Sequence, residues 1–346
     1  MTSYGYQLFT FGIHKPRQPD NLILGELLHP SDSEQARTAG WKNDSLYTIY
    51  GVLHGAEGRR IDSGTKHLTI KNVTGSGRCI RFTAEVGTSG QTSVFKDPHA
   101  TTPVFERGLQ HIESGDHRGL LVVPARSRRG LLVLEARGRA TGRPQIEALL
   151  KTSFRTHGGL VLDLAAIADS AALSAYIDRA AINAVTLKKH SLPPDVADYL
   201  DVPETERDYG GLELKINPGR ARRFARTVVE KFRGEGPTRR GLLEMHQLHF
   251  DELQVKMDDG DRKVTLTVEA DMAAPTFTYH LETSAALTDD QFYSEVLETV
   301  PGVAHGVGVM VRGNWQSEPW PDEMTQLVLD IPGSEVSDDG DPPEGS

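Results

Sequence analysis

In the first third of the chain, apolar and polar positions tend to alternate with the period of two that a β-strand presents. "YGYQLFTFGI", "SLYTIYGVL", "KHLTIKNV" and "RCIRFTAEV" are β-branched or aromatic runs bounded by Gly, Ser, Asp and Pro, and each reads as a strand. "VTGSGR" between the last two is a turn signal, so these two are expected to pair as a hairpin. Within "RCIRFTAEV" the apolar set is Ile80, Phe82, Ala84 and Val86, which puts Cys79 on the opposite, more polar face as an ordinary surface thiol.

Near residue 116 the pattern changes. A hairpin of "RGLLVV" and "GLLVLEARG" leads into a helix in which Ile146, Leu149, Leu150 and Phe154 recur at i, i+3, i+4 and i+8. Strand "GLVLDL", helix "SAALSAYIDRAA", strand "AVTLKKH", a short helix after "LPPD", strand "GLELKI" and a helix over 219–233 then alternate. "DELQVKMDDGDRKVTLTVEA" carries the clearest hairpin signal, with alternating flanks around Asp-Asp-Gly-Asp. The expected fold is α+β, a β-rich N-terminal part followed by mixed β-hairpin and helix alternation. Its expected divisions are a β-rich region 1–115, a mixed region 116–332 with a basic middle, and a disordered acidic tail 333–346 with five acids and no bases.

With 346 residues the chain has room for a sizeable core and for two domains. No run of eighteen apolar residues and no leader-like start is present, so a soluble, unexported protein with no membrane partner is expected. The single cysteine excludes an internal disulfide and a cysteine-based zinc site, which suits a reducing cytoplasm.

Charge is unevenly spread. The net charge is -10, yet residues 118–240 hold 22 Lys+Arg against 14 Asp+Glu, a local excess of +8 that leaves -18 for the rest. Six arginines fall within residues 126–143: Arg126, Arg128 and Arg129 at a hairpin turn, and Arg137, Arg139 and Arg143 where the second strand hands over to the next helix. A second cluster, Arg220, Arg222, Arg223 and Arg226, follows the Asn217-Pro218 helix start. Cations in an opening helical turn oppose the helix dipole, and a bound phosphate would offset that cost. Guanidinium groups suit bidentate phosphate contact, so DNA, RNA or another phosphate ligand is the expected partner. The competing reading of all ten arginines is a solvated surface in an arginine-rich composition.

The same stretch resembles the core of the restriction-endonuclease-like nucleases: Asp116, then Glu135-Ala136-Arg137 ending a strand, then Gln145 opening a helix. A turn centred near residues 127 and 128 sets Asp116 across from Arg139, with Asp116, Glu135 and Arg137 on one face. The resemblance implies two acids holding Mg or Mn, with Arg137 in the place of a lysine. Arginine keeps that charge but does not deprotonate, so it would stabilise an anion and not act as a base. P-loop, dinucleotide-binding and nucleophile-elbow motifs do not occur. Trp315 and Trp320 suit either base stacking or the edge of a core. The sequence thus points to a nucleic-acid- or phosphate-associated protein, of the bacterial kind carried on mobile elements or in anti-phage defence loci, with no cofactor unless the nuclease reading holds. A divalent-metal nuclease and a non-catalytic protein-interaction module are the alternatives.

Overall fold

The structure is a computed structural model that describes residues 4–27, 43–96, 103–137, 141–167, 181–191, 198–201, 203, 211–218, 244–245, 248–258, 263–269, 276–281, 287–311 and 313–331. The protein is α+β and β-rich, built around one long antiparallel sheet.

At the centre of the sheet lies β1 (Tyr4–His14). One edge of β1 pairs with β8 (Gly130–Arg137), followed outward by β7 (Glu113–Val122), β4 (Cys79–Thr88), β3 (Lys66–Ser76) and β2 (Arg60–Ser63). On its other edge, the first residues of β1 pair with β16 (Thr276–His280) and the last with β9 (Val161–Ala166). Beyond β16 come β15 (Lys263–Glu269), β14 (Glu252–Asp258), β10 (Ala181–Lys189) and β11 (Leu212–Ile216). Two separate ribbons pair β5 (Ser93–Lys96) with β6 (Pro103–Arg107), and β12 (Glu244–Met245) with β13 (Leu248–His249). Strands from both sides of residue 115 therefore share one sheet.

Both faces of the β1–β8–β7–β4 half are covered, which is why β1 and β8 are apolar on both sides. On one face, Phe9, Phe11, Ile80, Phe82, Leu121 and Leu132 pack beneath helices α1 (Ser45–Gly55) and α2 (Arg143–Gly158). On the other, Tyr6, Leu8, Leu120, Val122 and Leu131 pack beneath α3 (Asp289–Gly306), through Phe292, Val296, Val300 and Ala304. Helix α3 starts with a capping box in which Thr288 and Gln291 satisfy each other's backbone N–H groups.

Two expectations are corrected here. "SLYTIYGVL" forms helix α1, not a strand. Asp44 caps it by accepting from the Leu46 N–H at 3.0 Å, while Arg78 grips the same carboxylate at 2.7 and 3.0 Å. Leu46, Ile49, Tyr50 and Leu53 stand at helical spacing, but the helix is buried on almost every side, so no polar stripe marks its period. Gly55 matters on one of those sides: a Cβ there would lie 2.0 Å from the Leu329 carbonyl oxygen, so glycine lets the C-terminal segment close over α1. Cys79 is buried in the core beneath α3, not a surface thiol, and burial pushes its thiol up to about 11. Its face reads as polar in sequence because Arg81 and Thr83 follow it on β4, yet α3 and the chain around Trp315 cover that end. Trp315 joins this core, and Trp320 packs edge-on to Tyr47 and Tyr50 while its Nε1 donates to the Gly77 carbonyl at 2.8 Å.

The hairpin β3–β4 forms as expected, with β3 continuing through the anticipated turn to Ser76. So do β14–β15, closing at Asp258 and Lys263, and helix α2 with its predicted buried face. The helices expected in "SAALSAYIDRAA" (apart from Ala181, which begins β10) and over 219–233, most of the one after "LPPD", and the tail 333–346 lie outside the described residues.

The β16–β15–β14 half is different on the α1/α2 side. Register aligns Gln7, Thr278, Thr265 and Lys256 in one row, and Thr276, Thr267, Gln254 and Thr186 in the next. This face is polar where the neighbouring half is apolar, and the change occurs within β1, between Gln7 and Phe9.

Candidate anion-binding surface

The β1–β8 register brings two basic segments to the same end of the sheet. Phe11 faces Gly130, so the chain leaving β1 and the turn entering β8 emerge together. Ser127 is buried in that turn. Its hydroxyl donates to the Arg129 carbonyl at 2.7 Å and accepts from the Arg129 N–H at 3.2 Å, and its carbonyl accepts from Leu24 N–H at 2.8 Å. With Ser127 pinned inward, Arg126, Arg128 and Arg129 project into solvent. Arg128 donates to the Asn21 carbonyl, tying the turn to the loop after β1. That loop exposes Lys15 and Arg17, the latter at a positive φ of 65°. Among the described residues none of these five cations forms an ion pair. At the base, His14 sits 2.9 Å from Asp163, and its pKa is raised by the Lys15 carbonyl first and by Asp163 next.

Sequence alone groups Arg137 with Arg143, whereas the structure separates them. Arg137 lies on the α3 side of the sheet, with its Nε 3.1 Å from Glu135 Oε1. Arg143 opens α2 on the opposite side, 3.4 Å from Glu147 and stacked 4.8 Å from the Phe9 ring centre. Strand β8 spans about 25 Å at roughly 3.3 Å per residue, so its two ends are separate surfaces. Arg139, Arg220, Arg222, Arg223 and Arg226 lie outside the described residues.

The nuclease-like set occupies the α3 side. Gly119 faces Leu134, a register two residues from the expected one, and an even slip leaves Asp116, Glu135 and Arg137 on one face. Each acid is already engaged. Glu135 is 1% exposed; its Oε2 accepts from the Arg118 backbone N–H at 3.1 Å and guanidinium at 2.9 Å, and its Oε1 accepts from Arg137. Arg118 also donates to Asp289 at 2.7 Å and to the Leu287 carbonyl, and lies over the Phe292 ring. This network clamps the start of α3 to the sheet. Asp116 is exposed and pairs with Lys71 at 3.2 Å, which also holds Glu85 at 2.6 Å. Gln145 lies across the sheet on α2. Among the described residues no group of three or more His, Cys, Asp or Glu side chains is placed to hold a metal ion, and none of the helices is long and apolar enough to cross a membrane.

Lys15 and Arg17 were not singled out by sequence reasoning, because only strand pairing joins them to a turn more than a hundred residues later. Comparison with protein families and with curated proteins returns no match, so the functional reading rests on geometry.

Proposed function

We propose that this protein associates with nucleic acid through the basic end of its sheet, using Lys15, Arg17, Arg126, Arg128 and Arg129. The observation that supports this reading is the gathering of five exposed cations, without carboxylate partners among the described residues, onto two neighbouring loops. Phosphates are the complementary partner for guanidinium groups presented on a fixed turn. His14, with its raised pKa, adds charge at this end as pH falls.

The test is anisotropy of labelled single- and double-stranded DNA and RNA over a salt series. Engagement of all five cations on duplex DNA gives a slope of log affinity against log salt of about -4 to -5. Replacing Arg126, Arg128 and Arg129 by alanine lowers the magnitude of that slope by about 3. Absence of binding at low salt, or a slope that the triple variant leaves unchanged, rejects the reading.

A further inference from the structure

The polar half of the sheet forms the floor of a second feature, distinct from the basic end. A cavity of about 1020 Å³ lies between β14–β16 and the start of α2. Its nearest point on β1, Gln7, is seven residues from His14, or about 24 Å along the strand. Three physical features of this cavity point the same way.

The first is charge. Lys66, Arg143, Lys188, Lys256 and Lys263 line it against only two acids, Glu147 and Glu252. Both acids are already neutralised: Glu147 by Arg143 and by Lys151 at 2.8 Å, and Glu252 by Lys188 at 3.5 Å. Lys66 and Lys256 have no carboxylate partner among the described residues. The second is the floor. Thr265 bonds His280 at 2.6 Å and Thr278 bonds Gln7 at 2.9 Å, so those hydroxyls are fixed in place. Thr276, beside them, is 8% exposed and lines the cavity, and its hydroxyl has no side-chain partner among the described residues. That hydroxyl is therefore free to hydrogen-bond a ligand oxygen in the cavity. The third is the roof. Helix α2 begins at Gly142, which has a φ of 66° and supplies no side-chain cap, and no acid stands in its first turn. Its positive end therefore opens on the cavity through Gly142 and Gln145.

Cations in excess, an open hydroxyl and a helix start free of acids are elements from which proteins assemble phosphate sites. The volume lies at the upper end of small-molecule pockets, which accommodates far more than inorganic phosphate. We propose that this cavity binds a phosphorylated small molecule of nucleotide size, its phosphate held near Lys256, Thr276 and the start of α2. This site does not depend on the basic end.

Isothermal titration of the full chain with inorganic phosphate, the four ribonucleoside monophosphates and the corresponding nucleosides tests it. At least one monophosphate should bind with a one-to-one ratio, more than tenfold tighter than inorganic phosphate and than its own nucleoside. Lys256→Gln and Thr276→Val should each weaken that binding at least tenfold. Lys66→Gln, at the exposed first residue of β3, should weaken it several-fold. The Arg126, Arg128 and Arg129 triple variant should leave it unchanged, which separates this site from nucleic-acid contact. Failure of every monophosphate to bind at millimolar concentration overturns the proposal, as does binding that Lys66→Gln and Lys256→Gln both leave intact. Binding lost in the triple arginine variant but retained in the cavity variants would move the ligand to the basic end and also overturns it.

Discussion

Two halves of one sheet face meet at β1 and are built on opposite principles. On the β8 side, Phe9, Phe82 and Leu132 lie dry beneath α1 and α2; on the β16 side, Gln7, Thr278 and Thr265 form a polar floor. Strand geometry and hydrogen-bonding pattern are the same in both. What differs is the covering layer, and the sequence follows it: a face that meets helices is apolar, and a face that meets a cavity carries hydroxyls and amides.

The comparison breaks most sharply under truncation. Phe82→Ala should cost about 3–5 kcal/mol in denaturant unfolding, because Phe82 is fully buried and packs over Gly119. Thr267→Val on the polar side should change stability by less than about 1 kcal/mol, since a half-buried hydroxyl is exchanged for a methyl of similar shape. Equal losses at both sites would mean that the two halves are one continuous core.

On the opposite face, Glu135→Ala should cost about 3 kcal/mol by leaving Arg118 without its buried partner, whereas Glu135→Gln should cost less by keeping an acceptor. Loss of metal-dependent DNA cleavage in a Glu135→Ala protein of unchanged stability would instead restore the nuclease reading. Next in size is the acidic segment 333–346. If it shields the basic end, its removal should strengthen nucleic-acid binding at low salt about tenfold, or about 1.4 kcal/mol; unchanged affinity in the same titration removes the shielding idea.

The smallest expected effect is on pH dependence. His117 and His280 each have a pKa lowered first by burial, one in each half of the sheet. With the folded pKa below the ordinary 6.5, the unfolded chain takes up protons first, so stability is full above about pH 6.5 and declines as pH falls through the folded value. His117→Gln should flatten that decline in thermal melts between neutral and mildly acid pH. An acid-side decline unchanged by the substitution would show that His117 does not contribute to it.

Much of this architecture was legible in the sequence. Strand periodicity gave the hairpins and α2, because alternation and helical spacing reflect which side of each element is buried. It failed for Leu46–Leu53, where burial on all sides erased the contrast that distinguishes helix from strand, although Asp44 was a usable cap signal. It failed for Cys79 because the layer covering it comes from residues near 300. The arginine turn at 126–129 was visible, but its joining with Lys15 and Arg17 depends on long-range pairing. Thr265, Thr267, Thr276 and Thr278 do recur at every second position, a signal that a polar sheet face is being built; their meeting with Arg143 and Gly142 is set by the path of α2 and not by any local pattern.

The place of β1 also sets an order of events during synthesis. This strand leaves the ribosome before every strand it pairs with, and its partner β16 lies about 270 residues later, which at roughly 5–20 residues per second is a delay of about 14–54 s. Until then one edge of an apolar strand stays unpaired along its first residues, so the nascent chain carries an adhesive edge over that interval. Codon choice and chaperone supply over that interval therefore bear on the yield of this protein separately from its final stability.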